Sequence, residues 1–108
     1  MRSSEDFRAT VRRGVKAGRP TLVSHVVLPS GPDAGDVTSV GFVVSRAVGS
    51  AVVRNRTKRR LRHLMRDRLP QVPAGSRIVV RALPAAADVS AATLAADLDD
   101  SLRRAGAR

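Results

Sequence analysis

The sequence predicts an α+β fold: a single small domain in which helices pack against a small sheet. The chain has 108 residues, which suffices for one hydrophobic core and leaves little room for a second. Hydrophobic residues make up 43% of it, but only Phe7 and Phe42 are aromatic, so Val, Leu and Ala must fill the interior. Segments with helical spacing of apolar residues are interspersed with β-branched runs, and the predicted order is αββαβα.

The first element is predicted to be a short helix at residues 3–13, SSEDFRATVRR, which opens with a capping-box pattern. Phe7, Val11 and Val15 follow one another at helical spacing, and Gly14 provides a stop signal. We therefore expect one apolar stripe on this helix, with Phe7 at its start.

Two strands are predicted next. TLVSHVVL at 21–28 is rich in β-branched residues and ends at the turn-rich segment PSGPDAGD. SVGFVVS at 39–45 is apolar at almost every position, as expected for a strand that is covered on both faces.

An amphipathic helix is predicted from Ala51 to Leu69, with Ser50 as its N-cap. The apolar side of its helical wheel carries Val53, Thr57, Leu61, Leu64, Met65 and Leu69. The opposite side carries Arg56, Arg59, Arg62 and Arg66.

The last two elements are a strand and a helix. Prolines 70 and 73 end the amphipathic helix, and SRIVVRAL at 76–83 is predicted to be the third strand. The final helix places Leu94, Leu98 and Leu102 at i, i+4 and i+8, which gives it an apolar face for the core.

Charge indicates the kind of partner. The net charge is +11, from 20 Lys and Arg against 9 Asp and Glu, so a polyanion is the expected ligand. Residues 1–81 hold 17 of the basic and 5 of the acidic residues, so binding should spare residues 82–108. Residues 54–62, RNRTKRRLR, carry six positive charges without an acidic neighbour, and repulsion weakens such a helix by a few tenths of a kcal/mol per i,i+4 pair. A charged helix face is often only a solvated surface, but phosphates would relieve this repulsion, and we favour nucleic-acid binding.

Several other classes of protein do not fit the residues. There is no cysteine, and His25 and His63 are isolated from any carboxylate cluster, so we predict no metal site and no catalytic side-chain constellation. A strand precedes the basic helix, which disfavours a helix-turn-helix, and the helix lacks the aromatic residues of a membrane-surface helix. With no membrane-spanning run and no signal peptide, a cytoplasmic location is expected.

The stretch VGFVVSRAVGSAVVRNRTKRRLRHLMR resembles the signature region of the bacterial ribonuclease P protein subunit, and the EDF helix lies upstream at the right distance. The resemblance covers most of the chain and implies a single ribonuclease P protein domain over residues 1–108. It implies a left-handed β-α-β crossover, as in the second domain of ribosomal protein S5, whereas general statistics favour a right-handed one. It also implies the function, which is to bind the catalytic RNA and the 5′ leader of precursor tRNA, in a 1:1 complex with the RNA. The RNA subunit would remove the leader with Mg²⁺, and no protein side chain would be catalytic.

The resemblance also implies which residues bind RNA. Those expected to contact the catalytic RNA are Arg46, Arg54, Asn55, Arg56, Lys58, Arg59, Arg60 and Arg62. The leader is expected in a cleft lined by Phe7, Val11 and His25. Relatives often carry Phe or Tyr at the last two positions, so the cleft here is less aromatic. For Phe7 an ordinary core role is the alternative to stacking on a base, and His25 is a cleft or strand residue rather than a general base.

The chain departs from the family pattern at its N-terminus, and two alternative functions are considered beside the family function. Relatives usually carry more basic residues before the equivalent of SSEDF, so either one contact is missing or the start codon lies upstream. The alternative functions are a general RNA-binding or ribosome-associated protein, and a nuclease that acts alone.

Overall fold

The computed structural model describes residues 4–29, 35 and 37–107, with side chains from residue 7 onward. The α+β class is confirmed, but the predicted order αββαβα is one strand short. Two 3₁₀ turns, Leu69–Gln71 and Pro84–Ala87, follow the second helix and the last strand. The helices and strands are, in chain order, α1 (Ser4–Arg13), β1 (Val15–Gly18), β2 (Leu22–Val27), β3 (Ser39–Val43), α2 (Ala51–Arg68), β4 (Arg77–Ala82) and α3 (Ala91–Arg104).

The strand that sequence reasoning missed, β1, begins directly after Gly14. Val15, expected on the first helix, belongs to this strand and is 57% exposed. The chain turns sharply here, because the Gly14 amide donates to the Thr10 carbonyl at 2.8 Å. A Cβ at Gly14 would lie 2.5 Å from that carbonyl oxygen and 3.0 Å from the Val26 amide nitrogen, so only glycine fits between α1 and β2 without a shift.

The sheet has the strand order β1-β2-β4-β3. The first two neighbour pairs are antiparallel and β3 pairs with β4 in parallel. A parallel pair requires a crossover connection, and the connecting element is the basic helix α2, as predicted. The left-handed sense of this crossover is an implication of the family resemblance.

The main core lies on one face of the sheet, under α2 and α3. Leu22, Ile78 and Leu61 are fully buried in it. The predicted apolar stripe of α3 is confirmed, since Leu94, Leu98 and Leu102 are also fully buried. These six side chains are aliphatic, as the composition predicted.

The strand predicted at 39–45 is present as β3, but the expectation that it is covered on both faces is wrong. β3 lies at the edge of the sheet, where its neighbouring strand is β4, and all five of its residues are half-buried. Phe42 packs against the core from this edge. An apolar run therefore occurs here at a sheet edge and not at its centre.

The acidic residues of α3 find partners within the protein. Asp97 accepts a hydrogen bond from the Thr21 hydroxyl at 2.7 Å. Asp99 accepts two hydrogen bonds from the Arg68 guanidinium, at 2.6 and 3.1 Å. Asp100 forms an ion pair with Arg19 at 3.2 Å. These contacts attach α3 to α2 and to the β1–β2 connection.

Candidate nucleic-acid interface

The basic helix α2 is held rigidly by its apolar side. Ser50 caps its N-terminus, with its hydroxyl accepting from the Val53 amide at 3.4 Å, as predicted. Thr57 and Leu61 are fully buried, and the Thr57 hydroxyl donates to the Val53 carbonyl at 2.9 Å. The opposite side of the helix is therefore fixed in orientation toward solvent.

The turn before α2 depends on a glycine. Gly49 has φ +154°, and a Cβ there would lie 2.9 Å from Cγ1 of Val53. Its amide donates to the Arg46 carbonyl at 3.2 Å, and the Arg46 side chain is exposed at the start of this turn. Arg46 thus lies next to the N-terminal end of the basic helix.

Four of the residues predicted to contact RNA are exposed along the free side of α2. They are Asn55, Arg56, Arg59 and Arg62. Arg66, one turn further on, extends the row and is exposed as well. Among the described side chains no carboxylate forms an ion pair with these four arginines. We call this set, Asn55, Arg56, Arg59, Arg62 and Arg66, the basic helix face.

The remaining predicted positions on α2 are half-buried. The Nε of Arg54 is shielded from solvent and finds no hydrogen-bond partner among the described residues. Lys58 is also half-buried. Arg60 donates from its guanidinium to the Val89 carbonyl at 2.7 Å, just before α3. This intramolecular bond was not foreseen, although Arg60 lies one turn after Thr57 and one before Leu64, which places it beside the buried stripe.

The second candidate surface is the other face of the sheet, where α1 packs across β2 and β4. Side chains alternate along a strand, and Ser24 points toward α3 because its hydroxyl lies 2.7 Å from that of Ser101. His25 therefore points to the α1 side. We call the α1 side of the sheet, together with α1, the sheet cleft.

The residues predicted to line this cleft are not equally accessible. Phe7 is half-buried on α1 and, among the described residues, is not one of those packed into the main core. Val11 is 39% exposed. His25 is only 3% exposed, so it forms the floor of the cleft and not its rim.

The environment of His25 disfavours its charged form. Burial lowers the pKa of His25 below its ordinary value of 6.5, and the positive charges of Arg81 and then of Lys16 lower this pKa further. Neither ring nitrogen has a hydrogen-bond partner among the described residues. The imidazole is therefore neutral at pH 7, with one donor and one acceptor.

The two cations beside His25 were not among the predicted site residues. The register pairs Lys16 directly with His25, and Val79 lies opposite His25 on the other side, two residues before Arg81. The alternation in SRIVVRAL shows that Arg77 and Arg81 share a face. The alternation alone does not place His25 on the same face, because the register between β2 and β4 cannot be derived from the sequence.

Within the described ranges, no group of three or more His, Cys, Asp or Glu side chains is placed to hold a metal ion. In the same part of the chain, no helix is both long enough and apolar enough to cross a membrane.

Comparison with known proteins gives consistent matches. A family model described as Ribonuclease P matches residues 1–106. The ribonuclease P protein component of Streptomyces avermitilis is 56% identical over 109 residues, covering 96% of this chain and 89% of that protein. The component from a Nocardioides species is 53% identical, covering 99% and 91%. The solved RNase P protein of Staphylococcus aureus has a TM-score of 0.85 at 23% identity, covering 99% of this chain and 94% of that one. The RNase P protein of Thermotoga maritima, in complex with 1-(4-fluorophenyl)-2-thiourea, has a TM-score of 0.82 at 26% identity, covering 96% and 97%.

Proposed function

This chain belongs to the ribonuclease P protein family, and from that premise we propose that its basic helix face binds the catalytic RNA of a ribonuclease P holoenzyme. We propose further that the sheet cleft binds the 5′ leader of precursor tRNA. The protein thereby assists endonucleolytic removal of the leader, which leaves the mature 5′ end of the tRNA.

The observation that carries the first part is the exposure of Arg56, Arg59 and Arg62 on a helix whose other side is locked in the core. Uncompensated cations in a fixed row can each neutralise a phosphate of an RNA strand, and neutralisation of the phosphates releases their counterions. Asn55 adds a side chain that both donates and accepts hydrogen bonds, which a guanidinium does not. The acidic side chains of α3 are engaged elsewhere and do not compete for this row.

The chemistry in this proposal belongs to the RNA subunit, which uses Mg²⁺ to hydrolyse the phosphodiester bond. The role of the protein is to bind and orient the substrate, by ionic contacts and hydrogen bonds. We propose one protein per catalytic RNA, and the cytoplasmic location expected from the sequence remains a prediction.

The proposed function is tested by reconstitution. The purified protein is added to the cognate catalytic RNA at a low Mg²⁺ concentration, and the rate of precursor tRNA processing is measured. We expect the rate to rise with added protein and to saturate at a 1:1 ratio. A protein that binds this RNA without raising the rate would instead be a general RNA-binding protein.

The same assay without the catalytic RNA tests whether the protein is itself a nuclease. Protein freed of RNA should not cleave precursor tRNA. Specific cleavage by the protein alone, abolished by a point substitution in the chain, would contradict the assignment of the chemistry to the RNA.

A further inference from the structure

The buried imidazole of His25 lacks the partners that buried polar groups normally have. It is 3% exposed, and no described residue accepts from or donates to either of its nitrogens. In folded proteins an unpartnered buried polar group commonly marks the place of a water or another bound group. His25 lies on the floor of the sheet cleft, and its unpartnered nitrogens lie just beneath the surface that a ligand of the cleft would touch.

Two exposed cations flank this imidazole. Lys16 is its direct cross-strand neighbour, which places their Cβ atoms about 5 Å apart, and Arg81 is its diagonal neighbour at about 7–8 Å. Both charges act on His25 strongly enough to lower its pKa. Among the described side chains no carboxylate pairs with either cation, and the side chains of Glu5 and Asp6 on α1 lie outside the described residues.

The aromatic content of the cleft is low by comparison. Phe7 is half-buried, Val11 is aliphatic, and an imidazole that is 3% exposed presents no face on which a base can stack. Stacking on several aromatic side chains is one way to hold an unpaired strand, and ionic contact with its phosphates is the other. The described residues of this cleft favour the second way.

We propose that Lys16 and Arg81 bind phosphates of the unpaired 5′ leader, on either side of the buried imidazole of His25. This inference rests on the proposed function, and it names the phosphate backbone as the main part of the leader that the sheet cleft recognises, with Phe7 as the one aromatic side chain for a base. Leader binding in this protein is then strongly dependent on salt and weakly dependent on leader sequence.

The proposal predicts a specific salt dependence. For a single-stranded ligand, the slope of log affinity against log salt concentration becomes less steep by about 0.7 units for each phosphate contact removed. With two contacts, the slope for precursor tRNA should exceed that for mature tRNA by about 1.4 units. Lys16→Gln or Arg81→Gln should each remove about half of this difference, and the double variant nearly all of it.

The experiment measures the affinity of the reconstituted holoenzyme for precursor and for mature tRNA over a series of KCl concentrations. The matched control is Arg104→Gln, an exposed α3 arginine that is ion-paired with Asp100 and lies outside both candidate surfaces. It should leave both slopes as in the wild type. Melting temperatures of the free proteins identify any variant that is merely destabilised.

A second ligand separates phosphate contact from stacking without altering the protein. In a precursor tRNA whose leader is abasic, the phosphates remain and the bases are gone. We expect the wild-type holoenzyme to retain most of its preference for this precursor over mature tRNA. The proposal is overturned if the abasic leader binds no better than mature tRNA, or if the double variant keeps the wild-type slope.

Two other outcomes locate an error elsewhere. Equal losses on precursor and mature tRNA would assign Lys16 and Arg81 to the catalytic RNA or to folding, and would overturn the leader contact. A wild-type holoenzyme that processes precursor tRNA but shows no preference for it over mature tRNA would refute leader binding as a whole. Failure to stimulate processing at all would refute the proposed function itself.

Discussion

Two adjacent arginines of α2 should respond to alanine in opposite ways, although sequence reasoning treats them alike. Arg59 is exposed on the basic helix face, whereas Arg60 is half-buried and donates to the Val89 carbonyl at 2.7 Å. We predict that Arg59→Ala weakens RNA binding without a change in stability. Arg60→Ala should mainly destabilise the fold, because its bond joins α2 to the segment that enters α3.

The size of the stability effect follows from this contact. Hydrogen bonds to charged groups contribute about 1.5–3 kcal/mol, and half-burial lets water replace part of the loss, so we expect about 1 kcal/mol. For a domain of this size that lowers the melting temperature by about 4–8 °C. Arg59→Ala should change the free energy of unfolding by no more than about 0.5 kcal/mol, as is usual for surface substitutions.

The assay combines thermal unfolding of the free protein with the salt dependence of its affinity for the catalytic RNA. Arg59→Ala should flatten the log–log slope by somewhat less than one unit, and Arg60→Ala should flatten it less. The reasoning is refuted if Arg60→Ala melts like the wild type and flattens the slope as much as Arg59→Ala does. In that case the bond to Val89 does not hold in solution, and Arg60 belongs to the RNA surface as the family resemblance implies.

Three further predictions concern the cleft and the attachment of α3. The pKa of His25 is lower in the folded state than its ordinary 6.5, so the unfolded chain binds more protons and the free energy of unfolding should fall as the pH drops below about 6.5. Urea unfolding between pH 5 and 7.5 measures this fall, and an equally steep fall in the His25→Gln variant would contradict the prediction. Phe7→Ala should weaken precursor tRNA binding by the holoenzyme toward the low end of about 1–3 kcal/mol, and should leave mature tRNA binding unchanged. Phe7→Leu keeps the apolar volume, so it should weaken precursor binding nearly as much if the ring stacks on a base, and only slightly if Phe7 is a core residue. Asp99→Asn should lower the free energy of unfolding, measured in urea, by about 1–2 kcal/mol, because the guanidinium of Arg68 loses a charged partner. A variant as stable as the wild type would show that this ion pair does not stabilise the fold.

The local pattern of the sequence was sufficient for the elements that carry a strong periodicity. α2 begins at the predicted cap Ser50 and ends just before Pro70. The apolar stripe of α3 is buried as the helical spacing predicts, and so are Thr57, Leu61 and Met65 of α2. Leu69, predicted on the same stripe of α2, is instead the C-cap residue and is 37% exposed. A helix is stabilised by contacts between residues three and four apart, so its sequence contains most of the information about it. The family resemblance has the same basis, because its motif lies on one continuous segment, residues 40–66.

The strands were predicted less well, for a physical reason. β1 has only four residues, VKAG, without a clear alternation, and it exists because β2 supplies its hydrogen bonds. β3 has the apolar composition of a central strand but lies at the edge. Pairing partners in a sheet are distant in the chain, so the position of a strand is a property of the whole fold.

The residues of the candidate site fall into the same two groups, those that share one helix and those that come together from different segments. The basic helix face follows from the order of residues alone, since its residues share one helix and their spacing defines their side of it. Only the tertiary structure brought Lys16, His25 and Arg81 together, from three different strands, and only it gave Arg60 a partner in the segment before α3. Both depend on register and packing between segments that are far apart in sequence, where side-chain charges and hydrogen bonds meet only after the chain has folded.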